Sequence, residues 1–342
     1  MSGTQDPIPP YSGIVELLDG FKASKAMFTA VSLGIFDRLH RAPASCSELA
    51  AGLNCAEHAL ERLLGFCAAK ELIVQDDQGR WSNTPASDRY LRIESPDTLA
   101  GYVLCADRMQ FRLWAHLEDA VREGSNRWEQ EFGRKDGVFD YFFKTKEDKE
   151  IFLRGMNGFG RISSPLAVAA FDLSRYRRMA DLGGATGHLV IAACRRYPQM
   201  TACVYDLPSV TPVAQRAIAE EGLTERIDTV DGDFFKDTLP EADIYGFGRI
   251  LHDWSDEQVR FLLKKTYECL PVGGALIICE HILNERKDGP ATALLQSMNM
   301  LVVAEGRERS ASEYEALVRE AGFTEFQFQV TGGPVDAMLA VK

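Results

Sequence analysis

One run of the chain sets a titratable side chain where proton chemistry is possible: Gly248-Arg249-Ile250-Leu251-His252-Asp253-Trp254-Ser255-Asp256-Glu257-Gln258. Ser255 and Gln258 have the spacing of a capping box, so a helix starts there and His252 falls in the loop before it. The apolar run 244–247 reads as a buried strand, which places the histidine at the carboxyl edge of a sheet, where α/β proteins bind ligands. An imidazole of pKa about 6.5 suits removal of a proton from a hydroxyl near neutral pH, and such help typically raises a rate by ~10² to 10⁴. A working base needs its other ring nitrogen fixed by a carboxylate. Glu280, after the strand 275–279, and Glu308, in Glu305-Gly306-Arg307-Glu308-Arg309-Ser310, are the candidates, and each also has the plainer reading of an ion-pair partner for a nearby arginine. Asp253 is the weaker candidate, because adjacent side chains diverge. His188 reads as a packed or solvent-facing residue, and His40, His58, His116 and His281 carry no signal.

A second set of residues points to a ligand beside that base. Asp181-Leu182-Gly183-Gly184-Ala185-Thr186-Gly187 closes one strand and opens a helix, where glycines let a ligand approach backbone. The dinucleotide pattern G-x-G-x-x-G fails on this loop, since counting from Gly183 its later glycines fall on Ala185 and His188. The next strand ends at Asp206, about 20 residues on, where a carboxylate can accept from a ribose diol. The third ends in Asp231-Gly232-Asp233-Phe234-Phe235, which offers Asp233 for an adenine amino group and Phe234 for packing on the ring, or for the core alone. Together these groups suit S-adenosylmethionine (SAM). Methyl transfer from its sulfonium needs an oxygen nucleophile, and a phenol of pKa about 10 is mostly protonated at neutral pH, which gives His252 its task.

The elements that position these residues follow from periodicity. Past residue 178, β-rich runs at 179–182, 202–205, 227–230, 244–247 and 275–279 alternate with helical stretches, as in a doubly wound parallel sheet. Residues 325–330 and 337–341 follow with no helix between, so they predict an antiparallel hairpin on the edge of a Rossmann-like methyltransferase sheet. The first half reads helical. An apolar stripe runs from Ile14 to Leu39, short and long helices follow at 47–53 and 56–70, and a hairpin turns at Asp76-Asp77-Gln78-Gly79, a winged-helix pattern. Further helix is expected at 102–121 and 146–171. The expected division is a helical domain over 1–165 and a cofactor-binding domain over 166–342.

Charge and composition exclude several roles. The net charge of −12, and 9 basic against 13 acidic residues in the first 100, oppose binding of nucleic acid or an anionic membrane by the winged-helix region. No apolar run nears the ~18 to 20 residues that span a bilayer, and the N-terminus lacks a secretory pattern, so the expected setting is cytoplasmic. The eight cysteines show no C-x-x-C pair, and Cys279-Glu280-His281 alternates faces on a strand, so neither a disulfide framework nor a protein-held metal is expected.

With these residues the chain resembles the plant-type and hydroxyindole O-methyltransferases over nearly its whole length, through Gly232-Asp233-Phe234-Phe235-Lys236-Asp237, Leu239-Pro240-Glu241-Ala242-Asp243, Ile250-Leu251-His252-Asp253-Trp254, Asn299-Met300-Leu301-Val302 and Asp336-Ala337-Met338-Leu339-Ala340. The resemblance implies a SAM-dependent O-methyltransferase without metal, a homodimer interlocked through its N-terminal half, and a small aromatic acceptor such as N-acetylserotonin. It implies SAM contacts at Gly183, Asp206, Asp233, Phe234 and Arg249, catalysis by His252, Glu280 and Glu308, and a substrate pocket lined by Phe152, Met156, Asn299 and Met300. Phe28 or a neighbour, from the partner chain, closes that pocket on this reading. Val303, Gly160 and Phe143 stand where the vertebrate hydroxyindole enzymes that it resembles have glutamine, tryptophan and tyrosine, so another phenolic acceptor stays open. The rival readings are a SAM-binding relative with non-methylating chemistry and a winged-helix regulator.

Overall fold

The computed structural model describes residues 11–133 and 145–342, and Phe143 lies outside them. By compactness the chain divides between Asp107 and Arg108.

In the first unit the apolar stripe forms two helices, α1 (Ser12–Ser32) and α2 (Ile35–Arg41), parted at Gly34 in the left-handed conformation, φ +73°. The stripe changes character along its length. Ala30, Val31, Ile35, Phe36 and Leu39 are buried, whereas Ile14, Leu17, Leu18 and Phe21 are exposed. Helix α3 (Cys46–Leu53) begins at a Ser45/Glu48 capping box, and α4 (Glu57–Ala69) leads into the antiparallel pair β1 (Ile73–Gln75) and β2 (Trp81–Asn83). This is the helix, helix, wing order expected. Helices α5 (Pro85–Tyr90) and α6 (Ala100–Cys105) complete the unit.

The helix expected over 102–121 is broken by a π-helical turn at Ala106–Gln110 and continues as α7 (Phe111–Trp114) and α8 (Leu117–Glu123). After α9 (Trp128–Phe132) comes the long α10 (Lys146–Ala169). These helices belong to the second compact unit, upstream of the 165/166 boundary expected from texture, because they bond to its helix α14 (Ala291–Val303) and to its glycine loop. Trp114 Nε1 donates to Asn299 Oδ1 at 2.9 Å, Trp128 Nε1 to the Val303 carbonyl at 2.7 Å, and Thr186 Oγ1 to Asn157 Oδ1 at 2.9 Å.

The sheet holds β3 (Arg178–Leu182), β4 (Thr201–Asp206), β5 (Ile227–Asp231), β6 (Ile244–Gly248), β7 (Ala275–Glu280), β10 (Glu325–Gln329) and β11 (Asp336–Val341). A small separate pair comprises β8 (Ile282–Leu283) and β9 (Arg309–Ser310). The spatial order is β10-β11-β7-β6-β3-β4-β5, parallel from β7 to β5 and antiparallel where β11 joins β7 and β10 joins β11. The expected strands and closing hairpin are present to within a residue or two. Helices α11 (His188–Arg196), α12 (Thr211–Glu220), α13 (Asp256–Cys269) and α15 (Ala311–Ala321) connect or cover the strands. All six residues of β7 are buried, so its last residue, Glu280, carries a carboxylate into the interior. Such a group is costly unless paired and hydrogen-bonded, and its partners lie on the His252 loop.

Candidate active site

The carboxyl ends of the parallel strands bring the expected residues into one row: the 233–234 turn after β5, Asp206 after β4, the glycine loop after β3, Arg249 and His252 after β6, and Glu280 at the end of β7. His252 sits in a short 3₁₀ turn, Leu251–Asp253, that ends where the Ser255/Gln258 capping box starts α13.

His252 is 2% exposed, Glu280 0% and Glu308 1%, so the three form a buried cluster. His252 Nδ1 lies 2.6 Å from Glu308 Oε1 and 3.3 Å from Glu280 Oε2. The other oxygen of Glu280 accepts the backbone N–H groups of Ile250 and Leu251 at 3.0 and 2.9 Å, so this glutamate pins the loop as well as facing the ring. Glu308 supplies the short bond to the imidazole. Asp253 is nearer than its sequence position suggested, with Oδ1 3.6 Å from His252 Nε2. Burial alone favours a neutral ring, but the carboxylates of Glu280, Glu308 and Asp253 outweigh it and hold the His252 pKa above the usual histidine range. Burial likewise raises Glu280, against the pull of the imidazolium. The cluster therefore favours a protonated ring, held at Nδ1 by Glu308.

Around the glycine loop, Gly183 has φ +74°, and a Cβ there would lie 2.7 Å from Ile250 Cδ1 and 3.3 Å from Phe234 Cε1. Only glycine leaves backbone open beside the Phe234 ring. Phe234 itself stands edge-on to Phe235, Phe247 and Trp254. Asp206 Oδ2 accepts the Ala185 N–H at 2.8 Å and Oδ1 the Leu207 N–H at 2.7 Å. Burial carries its pKa up to about 6 against those two donors. Asp233 is turned into its own loop, accepting from Phe235 N–H at 2.9 Å and Lys236 Nζ at 2.8 Å. Arg249 has φ +58°, places Nη1 3.8 Å from Met156 Sδ and stands 5.5 Å from the centre of the Phe159 ring.

Among the buried polar atoms of the described residues without a partner are Asp181 Oδ2, at the head of the glycine loop, and Arg249 Nε. Burial first, then the Asp206 charge, pushes the Asp181 carboxyl up to about 8. Open glycine backbone, an aromatic edge, acids with spare lone pairs and two orphaned polar atoms suit a cationic nucleoside with a ribose diol and an amino-acid arm. Of the expected substrate contacts, Met156 meets Arg249, with Phe152 one turn earlier on α10, while Asn299 and Met300 are buried on α14. That helix reaches the base through Ser297, whose Oγ accepts the Glu308 N–H at 3.3 Å. Sequence reasoning missed Trp114, which orients the Asn299 amide from 185 residues away, and Arg309, described below. It saw Asp181 only as the head of the glycine motif.

Comparison with known proteins points to one family. A family profile described as an O-methyltransferase domain matches residues 114–324, and one described as an O-methyltransferase dimerisation domain matches 15–92. Acetylserotonin O-methyltransferase of Gallus gallus is 39% identical, over 100% of both chains. A probable bifunctional dTTP/UTP pyrophosphatase/methyltransferase protein of Homo sapiens is 36% identical over 99% of this chain, which spans only 55% of that protein's length. Among solved structures, human N-acetylserotonin methyltransferase in complex with SAM superposes with a TM-score of 0.93 at 35% identity, over 100% of this chain and 99% of the other.

Proposed function

The chain belongs to the O-methyltransferase family, and from that premise we propose that it methylates the hydroxyl of a small aromatic acceptor, a hydroxyindole such as N-acetylserotonin, with SAM as methyl donor. The observation that carries the reading is His252, buried, with Nδ1 held by Glu308 at 2.6 Å and Nε2 turned away from that bond. Bound SAM supplies an electrophilic methyl on a sulfonium. His252 Nε2 would take the proton of the acceptor hydroxyl, leaving that oxygen as the nucleophile for the methyl group that the donor would supply. The imidazolium that results is stabilised by Glu308 and Glu280, both already fixed, so little reorganisation accompanies the charge. Gly183, Asp206, Asp233, Phe234 and Arg249 would hold the cofactor, and Phe152, Met156, Asn299 and Met300 the acceptor.

A second acceptor class is favoured by one observation. Val303 is 5% exposed and its carbonyl is taken by Trp128, so this position offers no polar group to an amide tail. Simple phenols, which have no such tail, therefore belong beside hydroxyindoles in the test. Purified protein with SAM and a panel of N-acetylserotonin, simple phenols and flavonoids is expected to add one methyl group, read by mass. His252→Ala is expected to lose ~10² to 10⁴ of turnover while keeping its affinity for SAM. Undiminished turnover in that variant would overturn the mechanism.

The dimerisation profile over 15–92 and the exposed apolar face of α1 support a homodimer through the N-terminal unit, in which Phe28 or a neighbour of one chain would close the pocket of the other. Among the described residues no helix is long and apolar enough to cross a membrane.

A further inference from the structure

A histidine outside the proton-transfer cluster is built into the same sheet edge. His188 opens the helix after the glycine loop, and its ring lies so close to Gly160 that a Cβ there would stand 2.1 Å from His188 Cδ2 and 2.4 Å from Nε2. Nδ1 is 2.8 Å from the Ser164 hydroxyl, and the Cε1 corner is 4.0 Å from where a Cβ on Gly248 would be. One turn before Gly160, Asn157 bonds Thr186. Asn157, Gly160 and Ser164 thus form one stripe of α10, spaced three and four residues apart, that grips residues 186–188. The ring is clamped between α10 and the end of β6, and it requires a bare Gly160. Any side chain at that position, tryptophan included, and the His188 ring exclude each other.

The strand order says which part of a ligand meets this ring. On the reading given above, on which this inference rests, the adenine lies at Phe234 after β5 and the ribose at Asp206 after β4. The rest of the molecule then runs past the β3 loop toward β6. His188 stands between that loop and Gly248, on the path of the amino-acid arm. We propose that His188 contacts the amino-acid arm of the bound cofactor through the ring nitrogen that Ser164 leaves available, and so selects nucleosides that carry the arm. Burial, and next the Arg249 charge, bring the His188 pKa down to about 4, so the ring is neutral at neutral pH and adds no positive charge beside a sulfonium.

Calorimetric titration with two ligands tests this. S-adenosylhomocysteine carries the arm; 5′-methylthioadenosine is a thioether of the same nucleoside without it. His188→Phe keeps a ring against Gly160 and removes the nitrogens. The expected result is about tenfold weaker binding of S-adenosylhomocysteine, in keeping with one lost polar contact, and unchanged binding of 5′-methylthioadenosine. Unchanged affinity for both ligands, or equal losses for both, would make His188 a packing residue and overturn the proposal. If His188→Phe fails to fold, Ser164→Ala carries the test, with a smaller loss confined to S-adenosylhomocysteine expected and no selective loss overturning it. Wild-type protein that binds neither ligand would overturn the cofactor reading itself, and is told apart from failure of His188 alone because the variants are then irrelevant.

Discussion

The two nitrogens of His252 have different surroundings, and on the proposed mechanism the pH dependence of the reaction follows from that difference. Nδ1 faces Glu308 and Glu280, which stabilise the protonated ring and raise its pKa. A base must be neutral to act, so the ascending limb of kcat/KM is expected above pH 7 rather than near the ordinary value of about 6.5. Glu308→Gln removes one of the charges that favour the imidazolium. The His252 pKa then falls, so the limb moves to lower pH while kcat drops through lost orientation. A pH profile of the two proteins checks both signs, and a limb that stays in place would mean the carboxylate does not set the pKa. Elsewhere in the site, Ala185 adopts φ +50°, where a Cβ is strained by about 1 to 2 kcal/mol. Ala185→Gly relieves that strain but adds freedom to the unfolded chain, at a cost of about 0.4 to 1 kcal/mol. Strain wins by a small margin. The melting temperature is expected to rise by about a degree or two, with the Asp206 bond to this N–H retained; a fall would show that the loop is not strained.

The segment Glu305–Ser310 acts on the His252 loop as a unit. Arg309 is fully buried and donates to the carbonyls of Leu251 and Trp254, each at 3.2 Å, and to Asp256 Oδ1 at 2.6 Å. Gly306 passes so near that a Cβ would meet the His252 carbonyl at 2.2 Å. Arg309 is thus a positioning residue whose planar fork spans both ends of the turn, a geometry lysine cannot reproduce. Arg309→Lys is expected to lower kcat tenfold or more while leaving the dissociation constant for S-adenosylhomocysteine and the pH limb unchanged, since neither the cofactor residues nor the ring's carboxylates are touched. Parallel losses in cofactor affinity would assign it a general structural role instead. Of this arrangement the sequence disclosed the parts that are local. The strands were legible because a parallel sheet needs short unbroken apolar runs, and His252 because Ser255 and Gln258 mark where the next helix begins. The double duty of Glu280 and the grip of Arg309 depend on side-chain direction across 28 to 58 residues of chain, and the approach of Asp253 to Nε2 on the local backbone of the turn, neither of which spacing encodes. His188 was hidden for the same reason, since the residue that makes room for it, Gly160, lies on another helix.

Association of two chains is the property that a single chain's surface argues for most strongly. In α1, Ile14, Leu17, Leu18 and Phe21 are 71%, 83%, 65% and 57% exposed, while Ala30 and Val31 at the other end of the helix are fully buried. Their spacing of three and four residues puts the four on one face, so they form a stripe rather than scattered apolar residues. Fully burying a side chain of this size contributes about 1.5 to 3 kcal/mol. Four of them on each of two chains exceed the lower estimates of the entropy lost on association, so α1 has enough apolar surface to anchor a dimer. Leu17→Glu together with Phe21→Glu would place two carboxylates on that face, where burial without partners is far costlier than exposure. Light scattering is expected to give twice the chain mass for the wild type and once the chain mass for the double variant, with the far-ultraviolet spectrum of a folded protein in both. On the proposed closure of the pocket by Phe28 or a neighbour of the partner chain, methylation by the monomeric variant is expected to fall steeply, while its affinity for S-adenosylhomocysteine stays near wild type. A monomer with full turnover would separate the dimer from catalysis and leave the exposed stripe without a part in the site.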